Sequence, residues 1–174
     1  MKIIALGMCC RVSWMLQSLN LKNENSMFEW MRSVDFEDIL KIIRKVVNNE
    51  SIEIKERSSL PGNVLLDDTE IFTSHYNKEN LPEIFKRRSQ RFIDYIKSSD
   101  KIVFIREDYY DYSTKKNQII ELKNIIETIN PNCNYKILLL SPTENDLLNK
   151  IDIEKVNHVL HTQDKDKYLE FINL

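Results

Sequence analysis

Glycine is scarce in this chain, and its scarcity excludes several classes of binding site. Only two glycines occur among 174 residues, Gly7 and Gly62. The sequence therefore contains neither GxGxxG nor GxxxxGK[ST], the glycine-rich loops that hold dinucleotides and nucleotide phosphates in many enzymes. Nothing else in the sequence indicates a cofactor. We therefore expect a protein that works without one.

The cysteines and histidines do not show the spacing of a metal site. There are three of each, and no C-x-x-C, H-x-x-x-H or H-E-x-x-H pattern joins them. We therefore expect no metal ion. Two of the three cysteines, Cys9 and Cys10, are adjacent, which does not suit a disulfide framework. Free thiols are typical of a reducing compartment, and this predicts a cytoplasmic protein.

Long apolar runs and an excess of one charge are also missing. The chain has 25 basic and 27 acidic residues, so its net charge of −2 gives no sign of nucleic-acid binding. No segment approaches the roughly 20 apolar residues that cross a bilayer. The apolar run at residues 2–6 is too short for a signal peptide. These features predict one domain, 1–174, without a membrane span, whereas the oligomeric state is left open.

Four short apolar runs predict a mainly parallel sheet. They cover residues 3–6, 101–106, 135–140 and 158–161. The middle two are apolar on both faces, as expected of parallel strands that helices cover on either side. Amphipathic helices are predicted at 11–19, 36–47, 81–98 and 118–129, and another after Ser141. Residues 50–73 are less regular and suggest a hairpin and loop. The predicted fold is an α/β three-layer sandwich, Rossmann-like or SGNH-like.

Ligands of such sheets bind outside the carboxyl ends of the strands. The residues that follow the predicted strands are therefore site candidates: Gly7, Cys10, Arg106, Asp108, Ser141 and His161. Arg106 ends a buried strand and needs an anion or water. Either a nearby carboxylate or an anionic substrate group would satisfy it. A tyrosine-rich loop at 109–112 lies on the same predicted rim.

Cys10 is the candidate with the clearest chemistry. It stands where the first predicted strand gives way to a helix, and the N–H groups and dipole of a helix start favour a thiolate. We therefore expect a lowered thiol pKa. Backbone N–H groups after Gly7 could stabilise an oxyanion. The alternative is that Cys10 is a small apolar residue buried at the start of a core helix.

Five segments follow one another in an order that resembles a known family. They are residues 6–13 (LGMCCRVS), 27–30 (MFEW), 74–76 (SHY), 87–92 (RRSQRF) and 103–106 (VFIR). The order resembles the bacterial family labelled papain-like cysteine peptidases, which has an L-G-x-x-C opening, a P-F-D-W block, a histidine, an arginine-rich helix and an F-x-R strand end. The resemblance covers the first two thirds of the chain. Met27 and Glu29 replace the family's proline and aspartate, so an inactive member is one alternative.

The resemblance implies site residues and a second possible fold. It gives Cys10 the place of the family's cysteine and His75 that of its histidine, with Glu29 or Asp108 to orient the imidazole. His161 is the competing base. Trp30 is either a core aromatic or a wall of the pocket. A papain-like α+β fold, in which an antiparallel sheet carries the histidine, is the alternative to the predicted sandwich.

The predicted function is that of a cysteine-dependent hydrolase or acyltransferase. The substrate would be an ester, thioester or amide of a small molecule, glycan or peptide. The family's genomic setting among surface-polysaccharide genes implies a link to glycans. The alternative is a non-catalytic α/β module that uses Arg106 and the tyrosine loop to hold a phosphorylated or glycosylated ligand.

Overall fold

A four-stranded parallel sheet forms the centre of the protein. The computed structural model describes residues 1–21, 24–107, 115–141, 152–160 and 164–173. The strands of the central sheet are β1 (Lys2–Ala5), β5 (Ile102–Glu107), β6 (Tyr135–Ser141) and β7 (Val156–Leu160). Their order across the sheet is β1-β5-β6-β7, and every neighbouring pair is parallel. The four predicted strands are therefore confirmed, with ends that shift by one or two residues.

Helices cover both faces of this sheet. The structure has α1 (Cys10–Ser18), α2 (Phe36–Val47), α3 (Leu81–Lys97), α4 (Lys116–Ile129) and α5 (Lys165–Asn173). Alternate residues of β5 belong to different cores: Phe104 packs with residues of α2, α3 and α4, whereas Val103 packs with residues of α1 and with Phe171 of α5. This period of two is what a strand buried on both faces requires. The predicted three-layer α/β sandwich is confirmed.

A second, antiparallel sheet occupies the region that the sequence left least regular. It consists of β2 (Ile54–Glu56), β3 (Val64–Leu66) and β4 (Phe72–Thr73), paired in that order. Val64 and Leu66 extend the larger core. Phe72 also forms an isolated bridge with Arg32, so the end of this sheet is tied to the loop before α2. The small sheet thus places the segment that follows β4 near the carboxyl end of β1.

Some sequence predictions fall outside the described residues. They are Asp108, the tyrosine loop, the helix predicted after Ser141, and His161. Within the described part of the chain, no helix is both long and apolar enough to cross a membrane.

Candidate active site

The turn between β1 and α1 has an unusual backbone. Gly7 and Met8 both lie in the left-handed region, with φ of 77° and 84°. Cys9 then caps α1, and Cys10 is its first residue. A Cβ at position 7 would collide with Ser33 Oγ, so glycine is required there by space as well as by φ. Two consecutive left-handed residues reverse the chain sharply and bring Cys10 to the carboxyl end of the sheet.

Ser33 stabilises this turn through hydrogen bonds to Met8. The Met8 N–H donates to Ser33 Oγ at 2.7 Å, and the Ser33 N–H donates back to the Met8 carbonyl at 3.1 Å. The Arg106 guanidinium also donates to Ser33 Oγ, at 3.3 Å. Ser33 is fully buried. These reciprocal bonds replace the strand pairing that β1 loses where it turns.

Arg106 supports the same turn and does not face solvent. Its side chain is 0% exposed. It donates to the carbonyl oxygens of Leu6 at 2.9 Å, Ser33 at 3.1 Å and Val34 at 3.5 Å, and its guanidinium lies 4.8 Å from the centre of the Phe36 ring. The sequence left two partners open for it, a nearby carboxylate and an anionic substrate group. The structure instead places the guanidinium among backbone oxygens, because the strand period points it into the core.

An ion pair between the partly exposed Arg11 and the buried Glu107 fixes the first turn of α1. Arg11 donates from Nε to Glu107 Oε2 at 2.8 Å, and Arg11 Nη2 lies 2.5 Å from Glu107 Oε1. Glu107 is the last residue of β5 and is fully buried. The hydrogen bond from Nε and the close approach of Nη2 restrict orientation as well as distance. The ion pair therefore holds the start of α1, and with it Cys10, against the end of β5.

The structure brings Cys10 and His75 together. Cys10 Sγ lies 3.3 Å from His75 Nε2, although 65 positions separate the two residues in the chain. Cys10 is half-buried and His75 is exposed. His75 follows β4 of the antiparallel sheet, as the papain-like alternative predicted, while the nucleophile follows a strand of the parallel sheet. Its partial exposure shows that Cys10 is not a fully buried core residue.

Trp30 positions His75 beside the thiol. The two rings are 5.2 Å apart and inclined by 60°. The Thr73 hydroxyl accepts from the His75 N–H at 3.0 Å and donates to the Trp30 carbonyl at 2.8 Å. The Trp30 N–H in turn donates to Ser13 Oγ, on α1, at 3.3 Å. Trp30 thus connects the cysteine helix to the histidine segment, and its half-buried ring lines the site.

Glu29 accepts hydrogen bonds from Ser26, which belongs to the same loop. Its Oε1 accepts from the N–H and hydroxyl of Ser26, both at 2.8 Å, and its carbonyl accepts from Arg88 at 3.1 Å. The carboxylate is fully buried. No hydrogen bond among the described residues joins Glu29 to His75. The orienting role predicted for Glu29 would therefore have to act through the loop, which also carries Trp30.

The candidate oxyanion donors are fewer than the sequence suggested. The Met8 N–H is already bonded to Ser33. The N–H groups of Cys9 and Cys10 remain, and they open α1, where N–H groups have no acceptor within the helix. No cluster of three or more His, Cys, Asp or Glu that could hold a metal ion occurs in the part of the chain that the structure describes.

The thiol pKa differs from the expectation. Partial burial raises the pKa of Cys10, and the neighbouring Cys9 raises it further. The prediction of a lowered pKa was wrong in direction, because desolvation of the thiolate dominates here. Folding therefore disfavours the Cys10 thiolate.

The raised pKa can be measured by alkylation. We expect the pH midpoint for iodoacetamide labelling of Cys10 to be higher in the folded protein than in the same protein unfolded in urea, because folding disfavours the thiolate. Cys9→Ser should move the folded midpoint downward, part of the way. Residue-resolved mass spectrometry over a pH series would check both. A folded midpoint below the unfolded one would contradict the raised pKa.

Comparisons with known proteins bear on the cysteine half of this site. Residues 1–74, less than half of the chain, match the profile of a family described as "Putative papain-like cysteine peptidase". This segment contains Cys10 and Trp30 and ends one residue before His75. An uncharacterized protein of Acanthamoeba polyphaga mimivirus is 24% identical over 173 residues, which span 80% of this chain and 78% of that protein. No solved structure matches the chain. The family match is shorter than the two thirds suggested by the motifs.

Proposed function

We propose that this protein is a cysteine-dependent hydrolase or acyltransferase that acts on an ester, thioester or amide. Cys10 would be its nucleophile and His75 its base. The observation that carries the proposal is the 3.3 Å contact between Cys10 Sγ and His75 Nε2 at the start of a helix. The similarity of residues 1–74 to a family described as cysteine peptidases supports the same class of chemistry.

The reaction begins with a neutral thiol. Because the Cys10 pKa is raised, the proton leaves during attack and not before it. His75 Nε2 takes that proton while Sγ bonds to the substrate carbonyl carbon. The carbonyl oxygen becomes an oxyanion beside the N–H groups of Cys9 and Cys10. This assignment needs the imidazole tautomer with its proton on Nδ1.

The intermediate then collapses to an acyl-enzyme. The bond to the leaving group breaks, and His75 gives its proton to the departing oxygen, sulfur or nitrogen. The acyl group stays on Cys10 Sγ. Water or another nucleophile then attacks the thioester, with His75 again taking a proton, and the thiol is restored. Water gives hydrolysis, and an alcohol, thiol or amine gives transfer.

The supporting residues have roles that follow from their contacts. Ser33 and Arg106 hold the turn before Cys10, and Trp30 holds the imidazole. We assign Arg106 and Glu29 to positioning, because both side chains are fully buried. Asp108 and His161 stay predictions. The link to glycans also stays a prediction, since the names of the similar proteins mention none.

Trapping the acyl-enzyme tests the proposal. The protein is mixed with p-nitrophenyl acetate at neutral pH, and the acetyl group is located by peptide mass spectrometry. We expect acetylation of Cys10 in the wild type and in Cys9→Ser, and none at this position in Cys10→Ala. Cys9 is the matched control, since it is an adjacent and similarly half-buried thiol. Equal, slow acetylation of both cysteines would overturn the proposal.

A non-catalytic binding module is the second function that the sequence left open. The raised pKa of Cys10 is compatible with it. However, that hypothesis needed Arg106 to contact a phosphorylated or glycosylated ligand, and the guanidinium is buried among carbonyl oxygens. The catalytic proposal therefore has the stronger support.

A further inference from the structure

Trp14 stands one helical turn after the candidate nucleophile, on the exposed side of α1. It is four residues after Cys10, so the two side chains share one face of the helix. Helical side chains tilt toward the N-terminus, which brings the Trp14 indole back over the turn that contains Cys10. Trp14 is 54% exposed, whereas Val12, Met15 and Leu16 on the opposite face are buried.

The other side of Cys10 is already occupied. His75 and Trp30 reach the thiol from the side of α1 where Ser13 bonds to the Trp30 N–H. Ser13 and Trp14 are neighbours in sequence and therefore project about 100° apart around the helix. The thiol thus lies between two flanks. One flank carries the base, and the other carries an aromatic face open to solvent.

The chemistry of acyl transfer assigns a substrate group to each flank. The tetrahedral carbon carries four substituents: Sγ, the oxyanion, the leaving group and the acyl chain. The leaving group must lie at His75, which protonates it, and the oxyanion must lie at the N–H groups of Cys9 and Cys10. The acyl chain is the remaining substituent. It therefore points away from His75, to the flank that carries Trp14.

We propose that Trp14 is the binding face for the acyl group, and that the substrate carries an apolar or aromatic acyl group. This inference rests on the proposed function and deepens it by naming the substrate class. An indole face favours methylene chains and aromatic rings, because contact removes apolar surface from water on both partners. Trp14 would set specificity without taking part in proton transfer.

The first test compares two esters that share a leaving group. Burst release of p-nitrophenolate is measured with p-nitrophenyl acetate and p-nitrophenyl hexanoate. The hexanoate-to-acetate ratio of acylation rates should be about tenfold higher in the wild type than in Trp14→Ala. This is the effect expected if the indole removes roughly two methylene groups of the hexanoyl chain from water. Acetate rates should agree within about twofold, because acetyl is too short to gain from the indole.

Two further variants serve as controls. Trp14→Phe should keep most of the ratio, since it keeps an aromatic face. Gln17→Ala, on the same exposed side of α1, should leave the ratio unchanged. If Trp14→Ala acylates Cys10 normally and keeps the wild-type ratio, the inference is wrong and the proposed function stands. If no variant acylates Cys10, the proposed function is wrong.

A second test does not depend on catalysis. Alkylation of Cys10 by iodoacetamide is compared with alkylation by its N-phenyl derivative. If Trp14 forms an aromatic face beside the thiol, wild-type protein should favour the phenyl reagent several-fold more than Trp14→Ala does. Equal preferences in the two proteins would overturn the placement of Trp14, whatever the result with esters.

Discussion

Substitution of His75 by alanine is expected to slow acylation of Cys10 by about 10²- to 10⁴-fold, the usual contribution of a general base. The effect should be large because the Cys10 pKa is raised, so very little thiolate forms at neutral pH without a base. The fold should survive the change. His75 is exposed, and its hydrogen bond to Thr73 comes from the backbone, which the substitution keeps.

The measurement is the p-nitrophenolate burst at neutral pH. Ser74→Ala is the matched control, because Ser74 is the exposed neighbour of His75, and its rate should stay within about twofold of wild type. Free imidazole added to His75→Ala should restore part of the rate, since the vacated position is open to solvent. A rate for His75→Ala within about fivefold of wild type would show that another group, such as His161, is the base.

Replacement of Gly7 by alanine should have the largest effect on stability. Its φ of 77° costs an L-residue about 1–2 kcal/mol. The added Cβ would also displace Ser33 Oγ, which accepts from the Met8 N–H and from Arg106. Each buried donor left without its acceptor costs about 1–3 kcal/mol. Arg106 keeps its carbonyl partners, so the Met8 N–H is the donor that loses its acceptor. We therefore expect the free energy of unfolding to fall by about 2–5 kcal/mol in total.

Gly62 provides the matched control. Its φ is 81°, close to that of Gly7, but a Cβ there would meet nothing within 4 Å. Gly62→Ala should therefore cost only the backbone strain, about 1–2 kcal/mol. Urea unfolding of the three proteins would separate the backbone cost from the steric cost. If the free energy of unfolding fell equally in the two variants, the proposed stabilisation of the turn by Ser33 would be wrong.

The local patterns in the sequence predicted the fold well. β5 and β6 are apolar on both faces, and in a chain of this size such strands must be sandwiched between helices. Cys10 was recognisable because it sits at a strand-to-helix junction. The order of motifs indicated His75. The structure places the two side chains in contact, but the family match stops short of the histidine.

The contacts that hold the site could not be predicted in the same way. Ser33 and Thr73 are ordinary polar residues whose partners lie far away in the chain, so no local pattern distinguishes them. Arg11 and Glu107 are 96 positions apart. The surroundings of Arg106 were hard to predict for a different reason: its place near a strand end followed from the sequence, but which face of the sheet it would occupy depends on register.

The loop that presents Trp30 also covers part of the free edge of β1. β1 is the edge of the central sheet, and an edge strand can pair with a second copy of the chain. At Ala5, the Ser26 hydroxyl accepts from the N–H at 3.0 Å and lies 3.2 Å from the carbonyl oxygen, so it stands where an incoming strand would pair. Glu29 holds Ser26 in that position. Loosening this loop would therefore uncover a strand edge for intermolecular pairing as well as disturb the site.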